Sequence, residues 1–301
     1  MKSLRRFISI PAMLLLAAPS YAGTCPPAGQ DRAALESLKA KEFAVDDDAK
    51  RQSLALALVP CLGNPDPGLR DGIAFEAQST WLRARKLDIA TRTELLNRLT
   101  AMLQPDAGDR DGFRQPFAAL VLSEVARTDR IDPWMSRAQR TELIGQAANY
   151  LLSVKDYRGF DEREGWRHGV AHGADIVTQL ALNPNVDRAG VDKLLAAVAA
   201  QISPAGEHAY VDGESERLAR AVLYAAQRGL HTDAEWQQWL LAVSKPAPLA
   251  DWGAAYRTRA GLTKRHNLMG FLNALYVNVR ESDNENVQRL LPGLRAAYGS
   301  L

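Results

Sequence analysis

The sequence is sparing with several things, and each shortage narrows the field. It has only two cysteines, Cys25 and Cys61, and neither has the neighbours expected of a catalytic thiol. Beyond the N-terminus no run is long and uncharged enough to cross a bilayer, so no membrane span is expected in the body of the chain. No stretch alternates apolar and polar residues between turns, which argues against a sheet. There is no Gly-x-Ser-x-Gly elbow, no phosphate-cradling glycine loop and no dinucleotide fingerprint, which disfavours those enzyme classes and leaves a motif-free enzyme open. Aromatic residues are 7% of the chain. Its tryptophans (Trp81, Trp134, Trp166, Trp236, Trp239, Trp252) are scattered at helical spacings, which fits core packing better than a sugar platform.

The first residues read as an address. Lys2, Arg5 and Arg6 precede an apolar run from Phe7 to Ala18, and Ser20-Tyr-Ala22 supplies small residues before a cut after Ala22. Residues 1–22 are therefore expected to be a cleaved signal peptide, and residues 23–301 a single periplasmic or secreted domain. The formal net charge of +2 includes those three cations; without them 34 basic residues face 35 acidic ones, a net charge of −1. That removes the electrostatic reason to expect a nucleic-acid partner. In an oxidising compartment Cys25 and Cys61 are expected to form a disulfide over residues 26–60.

From Asp31 onward the periodicity is helical. Helices are expected near 31–43, 48–61, 69–86, 90–104, 113–127, 137–155, 165–182, 187–202, 214–229, 233–244, 264–279 and 284–298, with 246–262 less regular. Capping boxes are expected at Ser136/Gln139, Thr232/Glu235 and Ser282/Glu285. Arg70, Arg114, Arg167, Arg217 and Arg265 recur near helix starts at spacings of 44, 53, 50 and 48 residues. Paired helices with that period and no sheet predict an all-α fold, a curved α-α superhelix of HEAT-like repeats.

The stretch from Arg158 to Asp175 carries the most unusual pattern. A helix started near Gly165 places His168, His172, Asp175 and Gln179 on one stripe about 60° wide, at the border of its apolar arc. Gly169 and Gly173 in that arc allow a second helix to come close. His168, His172 and Asp175 can be read as metal ligands, as a metal-free binding or acid–base site, or as structural hydrogen-bonding groups; a metal would need a fourth group from elsewhere, such as Asp71, Asp212 or His266. Asp212 can equally cap the following helix, which is the plainer use. His266 opens its helix on a stripe suited to a site wall or to solvent.

Arg158-Gly-Phe160 followed by Gly165-Trp-Arg-His-Gly-Val-Ala-His-Gly-Ala-Asp175 resembles an uncharacterised bacterial family, domain of unknown function 2785. Leu69-Arg-Asp71, Phe113-Arg-Gln-Pro-Phe117, Asp212-Gly-Glu-Ser-Glu-Arg-Leu218 and Arg265-His-Asn-Leu268 look like its other hallmarks, and the resemblance covers most of residues 60–297. It implies candidate ligand-binding positions at Asp71, Arg114, Arg158, Trp166, His168, His172, Asp175, Asp212, Arg217, His266 and Asn267, and transfers no catalytic role. The expected function is a binding or interaction module presenting a His/Asp/Arg surface to a protein, peptide or small molecule. The alternative is a metal-dependent hydrolase using His168, His172 and Asp175; a divalent metal is not the favoured cofactor.

Overall fold

Short polar side chains that take the first free N–H groups set most helix starts. The computed structural model describes residues 23–105 and 109–301, so the leader expected over residues 1–22 lies outside the described residues. Asp31 accepts from the Ala34 amide ahead of α1 (Arg32–Ala40), and Asp47 from the Lys50 amide ahead of α2 (Asp48–Ala57). A 3₁₀ turn over Val59–Gly63 follows and buries Cys61. The sulfurs of Cys25 and Cys61 lie together as a pair able to form a disulfide.

The helix expected over 69–86 runs from Pro67 to Arg83 in three parts: α3 (Pro67–Leu69), a π-helical turn over Arg70–Phe75 and α4 (Glu76–Arg83). Next come α5 (Ile89–Met102), α6 (Arg114–Ile131) and α7 (Arg137–Ser153). A two-stranded ribbon then departs from the expectation of no strand. It consists of β1 (Phe160–Asp161) and β2 (Gly165–Trp166), antiparallel, with Phe160 opposite Trp166. The Asp161 carboxylate accepts from the amides of Arg163 and Glu164 and closes the turn between them. The rest is helical: α8 (Gly169–Leu182), α9 (Arg188–Ile202), α10 (Glu214–Gln227), α11 (Asp233–Val243), α12 (Arg259–Arg280), α13 (Glu285–Gln288) and α14 (Leu291–Gly299). The irregular stretch before α12 holds a 3₁₀ turn over Trp252–Arg257.

The capping boxes at Ser136/Gln139 and Thr232/Glu235 are both formed. The third is not. Asn284 caps α13, and Ser282 instead accepts from the Asn284 amide.

Packing runs in rows. α6 lies on α8, α8 on α10 and α10 on α12, while α7 lies on α9 behind them. The close approach expected at Gly173 occurs: a Cβ there would stand 2.9 Å from Leu151 Cδ1 and 3.2 Å from Tyr150 Cε1, both on α7. Tyr150 also donates to the Gly169 carbonyl at 3.2 Å. Trp81, Trp236 and Trp252 are buried in the core, as the scattered aromatics suggested, while Trp166 is the exception and stays half-exposed.

Candidate functional site

The first row of helices and the π-helical turn enclose a cleft of about 650 Å³. Asp71 and Glu76 come from the π turn and α4, Phe117 and Glu124 from α6, His172 and Asp175 from α8, Arg217 and Arg220 from α10. Trp166 and His168 enter from the ribbon side, and Asp212 from the approach to α10.

Arg70 anchors the π turn. Its guanidinium is fully buried, donates to the carbonyls of Asn64 (3.0 Å), Pro65 (3.2 Å) and Glu164 (2.6 Å), and lies 3.8 Å above the Phe113 ring. Arg167 lies 4.2 Å over the same ring and donates to the Asp111 carbonyl at 2.7 Å. Phe113 thus seats two cations through the negative face of its ring. Arg70 Nε stands 2.6 Å from Asp71 Oδ1; the pair is ionic, and neither atom has an aligned hydrogen bond. Burial raises the Asp71 carboxyl above its ordinary value against the pull of Arg70.

His168 is not on the helix. Its amide donates to the Arg158 carbonyl and that of Arg167 to Gly159, extending the ribbon one pair further. The chain then turns through a left-handed residue, His168 at φ 59°, before α8 begins at Gly169. The stripe drawn from Gly165 therefore starts too early, because pairing with a strand eight residues upstream outcompetes helix propensity. The geometry still brings His168 beside His172, with ring centroids 5.6 Å apart, and stacks it on Trp166 at 4.7 Å. His168 is 6% exposed, and its Nε2 is buried with no protein partner. Burial and then Arg217 lower its pKa, outweighing a hydrogen bond to the Asp212 backbone.

His172 is buried, and burial holds its pKa well below the usual value. Its Nδ1 is 3.2 Å from the Pro116 carbonyl. A carbonyl only accepts, so Nδ1 carries the proton and Nε2 keeps its lone pair. Asp175 pairs with Arg217, yet burial still pushes its carboxyl up to about 6. Glu124 is buried and held two-pronged by Arg83, through Nε at 3.0 Å and through Nη2.

Of the expected positions, Asp71, Trp166, His168, His172, Asp175, Asp212 and Arg217 meet at this cleft. Asp212 does not cap α10. Gly213, at φ 89°, takes the position before the helix, and the Asp212 amide donates to the Glu214 carboxylate at 3.0 Å. The other four stand elsewhere. Arg114 packs its side chain against Gly63. Arg158 is spent on Asp156, at 2.5 Å, and on the Asp111 carbonyl. His266 and Asn267 fasten the segment before Asp212: Asn267 accepts from the Tyr210 amide and donates to the His208 carbonyl, and His266 Nε2 is 3.3 Å from the Tyr210 carbonyl. As for the metal-ligand reading of His168, His172 and Asp175, no group of three or more His, Cys, Asp or Glu residues is placed to hold an ion among the described residues.

Sequence reasoning missed Glu124, Arg83, Glu76 and Arg220. Glu124 had left a trace: it is the one acid inside the apolar run Phe117–Ala126, where a charge without a partner is costly.

The family model described as "Protein of unknown function (DUF2785)" matches residues 99–277. That span holds His168, His172, Asp175, Asp212 and Arg217, and leaves out Asp71 and α4. No curated protein and no solved structure matches the chain.

Proposed function

The chain belongs to the DUF2785 family, and we propose that it is a binding protein whose cleft receives a small polar ligand. One observation carries this reading. His168 Nε2 is buried at the cleft without a protein partner, although an unsatisfied buried polar atom costs about 1–3 kcal/mol. A ligand that hydrogen-bonds to it recovers that cost on binding. The surroundings support the same reading: polar and charged groups from five chain segments converge, and a π-helical turn, a feature frequent at functional sites, lines one wall.

We further propose that the succession α6, α8, α10, α12 is the inner face of a HEAT-like superhelix, so that the cleft lies on its concave side. Export through the N-terminal leader, to a periplasm or beyond, completes the proposal. The basic start, the short apolar run and the Cys25/Cys61 pair support it.

The test is thermal melting of the full-length protein across a panel of amino acids, amines, sugars and carboxylic acids, repeated on His168→Phe. At a concentration of 100 Kd a cleft ligand stabilises the wild type by about 2.7 kcal/mol. The binding reading expects at least one such response and its loss in the variant. A response that His168→Phe leaves untouched places the ligand elsewhere and removes the argument.

A further inference from the structure

The helix faces that line the cleft continue past Asp175 to a group of cations without acidic partners. On α6, Leu120, Ser123 and Glu124 line the cleft. Arg127 stands seven residues after Leu120 and Arg130 seven after Ser123, about two turns further along the same face. Gln179 on α8 and Arg220 on α10 line the cleft beside them, and Tyr224 follows Arg220 by one turn. Arg130 Nε donates to Gln179 Oε1 at 3.0 Å. That bond holds the Arg130 guanidinium across α8 and leaves the Gln179 amide N–H groups free to donate.

The nearby carboxylates are already engaged. Glu124 is held by Arg83, Asp175 by Arg217 and Asp129 by Arg140. Among the described residues no carboxylate forms an ion pair with Arg127, Arg130 or Arg220. Arg127 and Arg130 are half-buried, yet none of their free nitrogens is shut off from solvent. Burial and then the Arg127 charge lower the Arg130 pKa, while the Tyr224 phenol acts the other way. The C-terminal end of α6 offsets part of one of these charges. A carboxylate would bring two oxygens and one charge. A phosphate monoester brings three oxygens and about −1.5 to −2 charges at pH 7, a better match for neighbouring guanidiniums. From these unpaired arginines on the cleft face, we propose that the ligand carries a phosphate group, seated at Arg127 and Arg130 with the Gln179 amide and Tyr224 hydroxyl beside it and Arg220 at its border. This rests on the reading of the cleft as a binding site.

Inorganic phosphate, sodium sulfate, sodium acetate and glycerol are titrated into the full-length protein by calorimetry, at matched ionic strength in a zwitterionic buffer. Phosphate is expected to bind at least about tenfold more tightly than acetate or glycerol, with sulfate close behind. Arg127→Gln and Arg130→Gln are each expected to weaken phosphate by about tenfold or more, and Arg127→Lys to restore part of the loss. Arg127→Gln should also leave the ligand-free melting point unchanged or raised, because it removes a like charge three residues from Arg130. Phosphate binding that both glutamine variants leave intact puts the anion elsewhere and overturns the proposal. Preference for acetate or glycerol overturns it too, as does silence from both phosphate and sulfate. A clear fall in the melting point of Arg127→Gln makes Arg127 a structural cation and likewise overturns it. None of these failures decides the binding reading, which stands or falls separately on the compound panel and His168→Phe.

Discussion

Removing Arg70 should do more harm than removing any other single side chain at the cleft. The guanidinium is fully buried and holds three carbonyls, one of them Glu164 on the ribbon 94 residues away. Arg70→Ala leaves the carbonyls of Asn64, Pro65 and Glu164 short of a donor and strands the Asp71 carboxylate, itself mostly buried. Breaking a buried ion pair by deleting one partner typically costs about 3–5 kcal/mol. In a chain of this size each kcal/mol lowers the melting point by roughly 2 °C, so a fall of about 6–10 °C is expected. Urea unfolding followed by circular dichroism gives the free energy directly. The double variant Arg70→Ala with Asp71→Ala separates the orphaned charge from the lost carbonyl bonds. It should be less destabilised than the sum of the single variants by about 1–3 kcal/mol. Arg70→Ala should also free the ribbon, making the bond after Arg163 more sensitive to trypsin. A cost below about 1 kcal/mol, or strict additivity in the double variant, would refute the assignment of Arg70 as the anchor.

Other consequences follow from single contacts. Asp175 has its folded pKa raised to about 6, above the unfolded value, so it weakens the protein as pH rises from about 4 to 6 and by a constant amount above that. His168 and His172, with lowered pKa values, act oppositely: their contribution is full above about 6.5 and is lost as pH falls. Asp175→Asn should therefore give a stability curve that climbs more steeply between pH 4 and 6 than the wild type; parallel curves from urea melts at each pH would reject the shift. Gly159→Ala puts a Cβ 1.8 Å from Asp212 Oδ2 and 2.8 Å from its Cβ, so Asp212 must leave its place. A loss of about 1–3 kcal/mol is expected, and an unchanged melting point would mean that Asp212 moves freely. Replacing Cys25 and Cys61 together by alanine should cost roughly 3–4 kcal/mol by loop entropy, read from melts of the exported protein; no loss would mean that the pair is not bonded.

Much local chemistry was readable in advance, with Ser282 and Asp212 as exceptions, and chemistry set from a distance was not. Ser136, Thr232 and the glycines of α8 act within one turn or on one neighbour, so their roles follow from spacing. The recurring arginines marked places close to helix starts without saying which way each side chain points. Arg217 turns into the cleft, while Arg70 turns into the core and Arg167 onto Phe113. His266 and Asn267 sat in an equally distinctive pattern and serve a neighbouring loop instead. The ribbon escaped notice because two-residue strands leave no alternation to detect, and the left-handed turn at His168 depends on the Arg158 carbonyl. Glu124 met its partner, Arg83, only across 41 residues.

The central claim is that His168 Nε2 is kept for a ligand, and the melting point of ligand-free His168→Phe tests it most directly. Deleting a buried polar atom that has no partner removes a penalty, which offsets the loss of the ring's hydrogen bond to the Asp212 backbone. The account predicts a ligand-free melting point close to the wild type, with the stabilisation by cleft ligands gone. A melting point lowered by more than about 4 °C, with ligand stabilisation intact, would show that this nitrogen serves the fold.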